Sequence, residues 1–254
     1  MKKEETAENL RYRIQTCQSI GKRQEQQDSY GSVQADHSIL LIMADGMGGM
    51  KRGGFFSKKA VEIVSEAFRN QKALTEVERL RRLYQQAQLQ LQALQEEENE
   101  GGTTLVLALI HKARLWFLSA GDSRLYLARG GGIIQLTRDQ VLGIRLEERA
   151  ALGFLSMEDA LENQCRDSLD NFLGAAKPKE PDQNMSPIEL RAGDCIALMS
   201  DGVYRTLGEE RLASLLCQPS EQLAQKVIHH VALENMPRQD NNSIVLAIAE
   251  EDIR

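Results

Sequence analysis

Residues 39–44 form an unbroken apolar run that stops at Asp45-Gly46, the pattern of a strand buried on both faces and ended by a turn. Residues 195–200 repeat that pattern before Asp201-Gly202, and residues 243–249 give a last strand after Asp240-Asn241. Residues 11–20 and 29–33 mix polar and apolar positions in the manner of edge strands. Between 55 and 70, Ala60, Val61, Val64 and Phe68 recur at helical spacing. Thr75 and Glu78 stand at capping-box distance and open a second helix, whose stripe of Leu80, Leu83, Tyr84, Ala87, Leu91 and Leu94 is expected to face a core rather than a partner. The acidic run at 96–100 reads as a solvated helix end or loop. After Gly101-Gly102 the period changes to short strands at 103–110, 115–120, 125–128 and 133–136, which read as a meander, with Gly130-Gly131-Gly132 suited to a hairpin turn. Short helical pieces follow, one opened by Ser156 and Asp159, then a loop with Pro178, Pro181 and Pro187, and a helix over 223–231.

Strands at both ends and in the middle, with helices between them and no regular βαβ alternation, predict an α+β fold: an α-β-β-α sandwich of two antiparallel sheets flanked by helices. Residues 1–10 are polar and charged, the composition of a disordered N-terminal tail. Residues 11–254 then form a single domain with a flap at about 140–187, since no Pro-, Gly- or Ser-rich linker divides them.

Composition narrows the function. At 254 residues, with 42% hydrophobic and 27% charged positions, the chain can bury a full core without a disulfide or structural metal, so a metal would be there for chemistry. The net charge of −6 and the scattered basic residues disfavour nucleic acid. No apolar run approaches the length of a membrane helix and the first residues lack the apolar stretch of a signal peptide, so the expectation is a cytoplasmic protein with no membrane partner, acting as a monomer. Cys17, Cys165, Cys195 and Cys217 are far apart and fit reduced thiols better than a zinc site.

The chemistry lies in the aspartates. Three apolar strands each deliver one at their end (Asp45, Asp122 and Asp201), and Asp240 stands just before a fourth strand. Any single Asp-Gly is most economically a turn. Four carboxylates brought together would repel unless protonated or bridged by hard cations such as Mg²⁺ or Mn²⁺, so the set points to a metal centre wherever the fold assembles it.

The ordered segments RQEQQDS (23–29), MADGMGG (43–49), GGTT (101–104), GDSRLYLARGGGIIQLTRD (121–139), LMSDGVYRTL (198–207) and QDNNSIVLAI (239–248) resemble the motif series of the metal-dependent serine/threonine protein phosphatases of type 2C, over nearly the whole chain. Met47, where animal members usually carry histidine, marks a bacterial-type member. The resemblance implies hydrolysis of phosphoserine and phosphothreonine on proteins by water activated at a binuclear Mn²⁺ or Mg²⁺ centre, without a covalent phosphoenzyme. It implies that Asp45 bridges two ions, that Gly46 offers its carbonyl to the first, and that Asp201 and Asp240 hold the second. Asp122 would join Asp201 at a weaker third ion, Asp28 would be the early carboxylate that supports the centre, and Arg23 would engage the substrate phosphate. The implied partners are phosphorylated proteins of a bacterial serine/threonine kinase pathway.

The departures bear on rate rather than reaction class. Met47 cannot donate a proton, which leaves the acid for the leaving alkoxide unassigned. Gln26, Gln27 and Gln140 replace residues common in the family, while Ser243 keeps the hydroxyl of the usual threonine. Two other readings stand beside the first: a catalytically degenerate phosphoprotein-binding module, and a hydrolase of small phosphate esters closed over by the flap. A serine-nucleophile hydrolase is weaker, because no histidine is patterned beside Ser29, Ser123 or Ser200. The GGTT segment lacks the Gly-Lys-Ser/Thr ending of a phosphate loop and reads as a backbone turn; His37 and His111 read as surface or capping residues, and His229 and His230, adjacent on the late helix, point in different directions and do not suit joint metal binding.

Overall fold

A computed structural model describes residues 10–47, 52–71, 75–95 and 101–252. Residues 1–9 of the tail expected at 1–10, the acidic run at 96–100 and Gly48-Gly49 of the MADGMGG segment lie outside them, whereas Leu10, the last residue of that expected tail, begins the first strand. The chain runs through β1 (Leu10–Ser19), β2 (Asp28–Ala35), β3 (Ser38–Asp45), α1 (Gly53–Asn70), α2 (Glu76–Gln92), β4 (Leu105–His111), β5 (Arg114–Ala120), β6 (Arg124–Arg129) and β7 (Gly132–Gln135). It continues through α3 (Leu142–Ala151), α4 (Met157–Glu162), β8 (Asp182–Gln183), β9 (Ile188–Glu189), β10 (Cys195–Met199), α5 (Asp201–Leu216), α6 (Leu223–Leu233) and β11 (Asn242–Glu251).

Two sheets result, in the orders β1-β11-β10-β6-β7 and β2-β3-β4-β5-β8, with β9 also on β5 and every pairing antiparallel. The unbroken apolar runs have a simple cause. In β3, Leu40, Ile42 and Ala44 face α1 and α2, whereas Leu41 and Met43 face the other sheet. In β10 and β11, Ala197, Met199, Ile244 and Leu246 pack under α5 and α6, and Leu198 and Val245 point between the sheets. Side chains alternate across a strand, so a strand covered on both faces must be apolar at every position. The predicted stripe of Leu80, Leu83, Tyr84, Ala87 and Leu91 lies in the layer against its own sheet. Thr75 and Ser156 cap α2 and α4 by accepting from the main-chain N–H of Glu78 and Asp159.

Two expectations need correction. The strands after Gly102 are not one meander: β4 and β5 belong to one sheet and β6 and β7 to the other. The chain crosses between sheets at residues 121–123, where Gly121 takes φ 105° and an added Cβ would stand 2.7 Å from the Thr104 side chain, so the sharp crossing requires glycine. The helix α5, beginning at Asp201, has no counterpart in the sequence reading. Its interior Gly208 at φ 69° breaks the helical phase, so Val203 and Leu207 do not continue the stripe of Leu212, Leu215 and Leu216.

Register sets what gathers where. Asp28 pairs with Asp45, Leu105 with Ala120, Met199 with Arg124 and Met199 with Ile244. The ends of β3, β5 and β10 and the starts of β2, β4, β6 and β11 therefore meet at one end of the sandwich.

Candidate metal centre

Asp45, Gly46, Met47, Asp122, Asp201, Asp240 and Arg23 line one cavity of about 450 Å³ at that end. Asp28 is not part of the lining; it stands buried behind it, opposite Asp45 in the strand register. The site residues read from the sequence thus gather at one end of the fold, from β2, β3, the first turn of α5 and the connections that follow β1, β3, β5 and α6.

Asp45 is held by the segment read as a plain turn. The Thr104 hydroxyl accepts from the Asp45 N–H at 2.9 Å, the Thr104 N–H donates to the Asp45 carbonyl at 2.8 Å, and the Thr103 hydroxyl donates to the same carbonyl at 2.9 Å. Thr104 Oγ1 also meets Ser123 Oγ at 2.7 Å, which ties the two sheets together beside the site. Gly46 is obligatory: an added Cβ would lie 2.4 Å from the Gly53 backbone and 2.7 Å from the Gln27 carbonyl. Thr104→Val should leave the buried Asp45 N–H without an acceptor and cost about 1–3 kcal/mol. Urea unfolding would register this as a lower midpoint at unchanged slope, and an unchanged midpoint would remove Thr104 from this role.

The remaining groups are fixed in the same way. Ser243 N–H donates to Ser200 Oγ at 3.0 Å and the Ser200 hydroxyl donates to Asp28 Oδ2 at 2.7 Å, a relay that orients Asp28. Asn241 accepts from the Gln27 N–H at 2.8 Å and donates to the carbonyls of Ile20 at 2.9 Å and Glu25 at 3.0 Å, so it staples the loop that carries Arg23 to the start of β11. Arg23 Nη2 pairs with Asp240 Oδ2 at 2.6 Å. Arg205 pairs with Asp122 at 3.0 Å and with Asp201 at 3.3 Å. Asp167 and Leu169, from the region expected to be a flap, complete the wall. Sequence reading gave no role to Arg205, Asn241 or the hydroxyls of Thr103 and Thr104, and it weighed Ser200 only as a nucleophile and not as the donor to Asp28. Of these, only Arg205, four residues after Asp201, left a local trace in the sequence.

The electrostatics show where positive charge is lacking. Burial, followed by Asp28, Asp201, Asp122 and Asp240, pushes Asp45 well above the ordinary carboxylate range. Burial likewise raises Asp28, opposed by the Ser200 hydroxyl. Asp201 is pushed up to about 7, by burial first and Asp122 next, with Arg205 opposing. Burial raises Asp122 too, against the same arginine. Buried Asp28 Oδ1 has no hydrogen-bond partner. Among the described residues no three acidic, histidine or cysteine side chains close into a ready cage, and guanidinium groups pair with Asp122, Asp201 and Asp240. An all-oxygen set of unneutralised carboxylates beside a backbone carbonyl nevertheless suits hard divalent ions, and the Asp28–Asp45 side of the cavity is where their charge is missing.

An α-β-β-α sandwich with an acidic cavity at the strand ends and an arginine at its rim defines a hydrolase-type site for an anionic substrate. A family model described as "Protein phosphatase 2C" matches residues 18–238. A serine/threonine phosphatase, stp, of Listeria welshimeri is 30% identical over 220 residues, 84% of this chain and 85% of that protein. The protein phosphatase PhpP of Streptococcus pneumoniae is 30% identical over 183 residues, 70% of this chain and 72% of its own. The solved catalytic domain of the serine/threonine protein phosphatase PstP, in complex with two manganese ions, superposes with a TM-score of 0.75 at 26% identity, over 95% of this chain and 100% of that one. The chain belongs to the protein phosphatase 2C family of metal-dependent serine/threonine phosphatases.

Proposed function

We propose that this chain hydrolyses phosphoserine and phosphothreonine on phosphorylated proteins of a bacterial serine/threonine kinase pathway. In this reading it acts as a monomer in the cytoplasm. The observation that carries the reading is the convergence of Asp45, Asp122, Asp201 and Asp240 on one cavity with Arg23 at its rim. The bacterial relative named as a serine/threonine phosphatase supports the substrate class. Among the described residues no helix is long and apolar enough to cross a membrane, which accords with the placement. The helix stripe of α2 is covered by its own sheet, which accords with a monomer.

Two divalent ions, Mn²⁺ or Mg²⁺, would be held by Asp45, the Gly46 carbonyl, Asp201 and Asp240, with Asp28 behind them. When bound, such ions lower the pKa of water toward neutrality and set positive charge against the phosphoryl oxygens. Arg23 has a side chain 48% exposed and can turn from Asp240 to present its planar fork to two phosphate oxygens. The Ser243–Ser200 relay holds one Asp28 oxygen and leaves the other to accept from within the site. Met47 contributes an apolar wall and no proton. Asp167 and Leu169 let the flap at about 140–187 form one side of the substrate cleft.

The test is turnover of a phosphothreonine peptide and of p-nitrophenyl phosphate with Mn²⁺, with Mg²⁺ and with EDTA. Hydrolysis of both that EDTA abolishes is the expected result. Hydrolysis of the phenolic ester alone would favour the small-ester hydrolase. No turnover by folded protein would leave the phosphoprotein-binding module.

A further inference from the structure

Asp122 and Asp201 come from different parts of the fold, the crossing between the sheets and the first residue of α5, and their side chains are only 10% and 24% exposed. One guanidinium lies between them. Arg205 Nη2 is 3.0 Å from Asp122 Oδ2 and Nε is 3.3 Å from Asp201 Oδ2. Asp201, Tyr204 and Arg205 stand at i, i+3 and i+4 and so share one face of the first turns of α5. Tyr204 uses that face to donate its hydroxyl to the Asp122 main-chain carbonyl at 3.0 Å. The Tyr204 ring is in turn covered by the Arg124 guanidinium at 3.7 Å, and Arg124 is locked onto Asp139 by bonds of 2.7–3.2 Å. Asp122 is therefore gripped twice by one helix turn, at its backbone by Tyr204 and at its carboxylate by Arg205. The Arg205 side chain is itself 44% exposed, so its two acidic partners and the adjacent Tyr204 ring, rather than burial, hold it in place.

From this geometry we propose that Arg205 is the resident cation of the Asp122–Asp201 pair, occupying the place where a further divalent ion would otherwise bind, so that the chain takes up two divalent ions and not three. The inference rests on the metal-dependent reading above. A guanidinium is permanently charged and weakly hydrated, and its donors are fixed in one plane, so it can span two carboxylates and stay there at any pH at which the protein is folded. A divalent ion that shared Asp122 with Asp201 would have to displace it and leave its charge beside a second cation. The arrangement keeps Asp122 as a positioning residue: it anchors Arg205 and, through it, restrains Asp201 Oδ2.

The measurement is the number of Mn²⁺ ions bound per chain, from titration followed by the electron paramagnetic resonance of unbound Mn²⁺ and checked by metal analysis after dialysis. The wild-type chain should bind two. Arg205→Gln should gain a third, weaker ion, Arg205→Lys should return to two because a cation is restored, and Arg205→Gln combined with Asp122→Asn should also bind two. Melting curves establish that each variant is folded. Three ions on the wild-type chain, falling to two in Asp122→Asn, would overturn the inference by showing that the arginine swings aside. A count that stays at two in Arg205→Gln would overturn it as well, because the arginine would then exclude nothing. A wild-type chain that binds no ion would bring down the metal-dependent reading itself, an outcome distinct from the other two.

Discussion

Replacing Asp45 by asparagine is expected to lower kcat/KM on a phosphothreonine peptide by about 10³-fold or more, since in the proposed centre Asp45 would hold both ions, whose charge is worth several kcal/mol to the reaction. The same change should make the protein more heat-stable in EDTA. Burial and four neighbouring aspartates hold the Asp45 carboxyl well above its ordinary range, so its negative charge opposes folding whenever no cation compensates it. Asparagine keeps the shape and removes the charge, and the hydrogen bonds from Thr103 and Thr104 are to the Asp45 backbone, which the substitution leaves alone. Steady-state kinetics and melting curves in EDTA check the two halves separately. Full activity in the variant would end the bridging role, and a lower melting temperature in EDTA would show that the carboxylate is already compensated by the chain.

Without divalent ions the protein should lose stability as pH rises from about 4 to about 7, the reverse of ordinary acid unfolding. The sign follows from the raised carboxylates. Asp201 moves from 3.8 to about 7 in the folded chain, and Asp28, Asp45 and Asp122 are raised as well. Between those values the folded state holds more protons than the unfolded one, so the contribution is complete below the unfolded pKa and is gone once pH passes the folded pKa. Divalent ions and protons compete for the same oxygens, which makes Mn²⁺ more stabilising near pH 8 than near pH 5. An ion present at about a hundred times its Kd adds about 2.7 kcal/mol, or roughly 5–10 °C of melting temperature for a chain of this size. Melting curves from pH 5 to 8 in EDTA and in Mn²⁺ decide the matter. A melting temperature in EDTA that climbs steadily with pH, or a larger Mn²⁺ effect at pH 5 than at pH 8, would contradict the reading.

Much of the fold is legible in local pattern. The runs at 39–44, 195–199 and 244–249 are apolar at successive positions because both faces of their strands are covered, by helices on one side and the other sheet on the second. The caps at Thr75 and Ser156 are likewise local, each a side-chain oxygen three residues from the N–H it accepts. The helix α5 was not legible, because Gly208 resets its phase and leaves no continuous stripe. The assignment of β4 to β7 to different sheets was not legible either, since a tight turn within a sheet and a tight crossing between sheets use the same glycine-rich residues.

The aspartates divide in the same way. The sequence by itself determined that Asp45, Asp122 and Asp201 end apolar strands and that Asp240 precedes one, because strand and turn signals depend on neighbouring residues. Only the tertiary structure decided that these ends share one cavity, that Thr104 holds Asp45 across 59 residues, that Asn241 holds the Arg23 loop across more than 200, and that Arg205 stands between Asp122 and Asp201. Those contacts are set by strand register and by the packing of two sheets, and neither leaves a periodic mark on the chain.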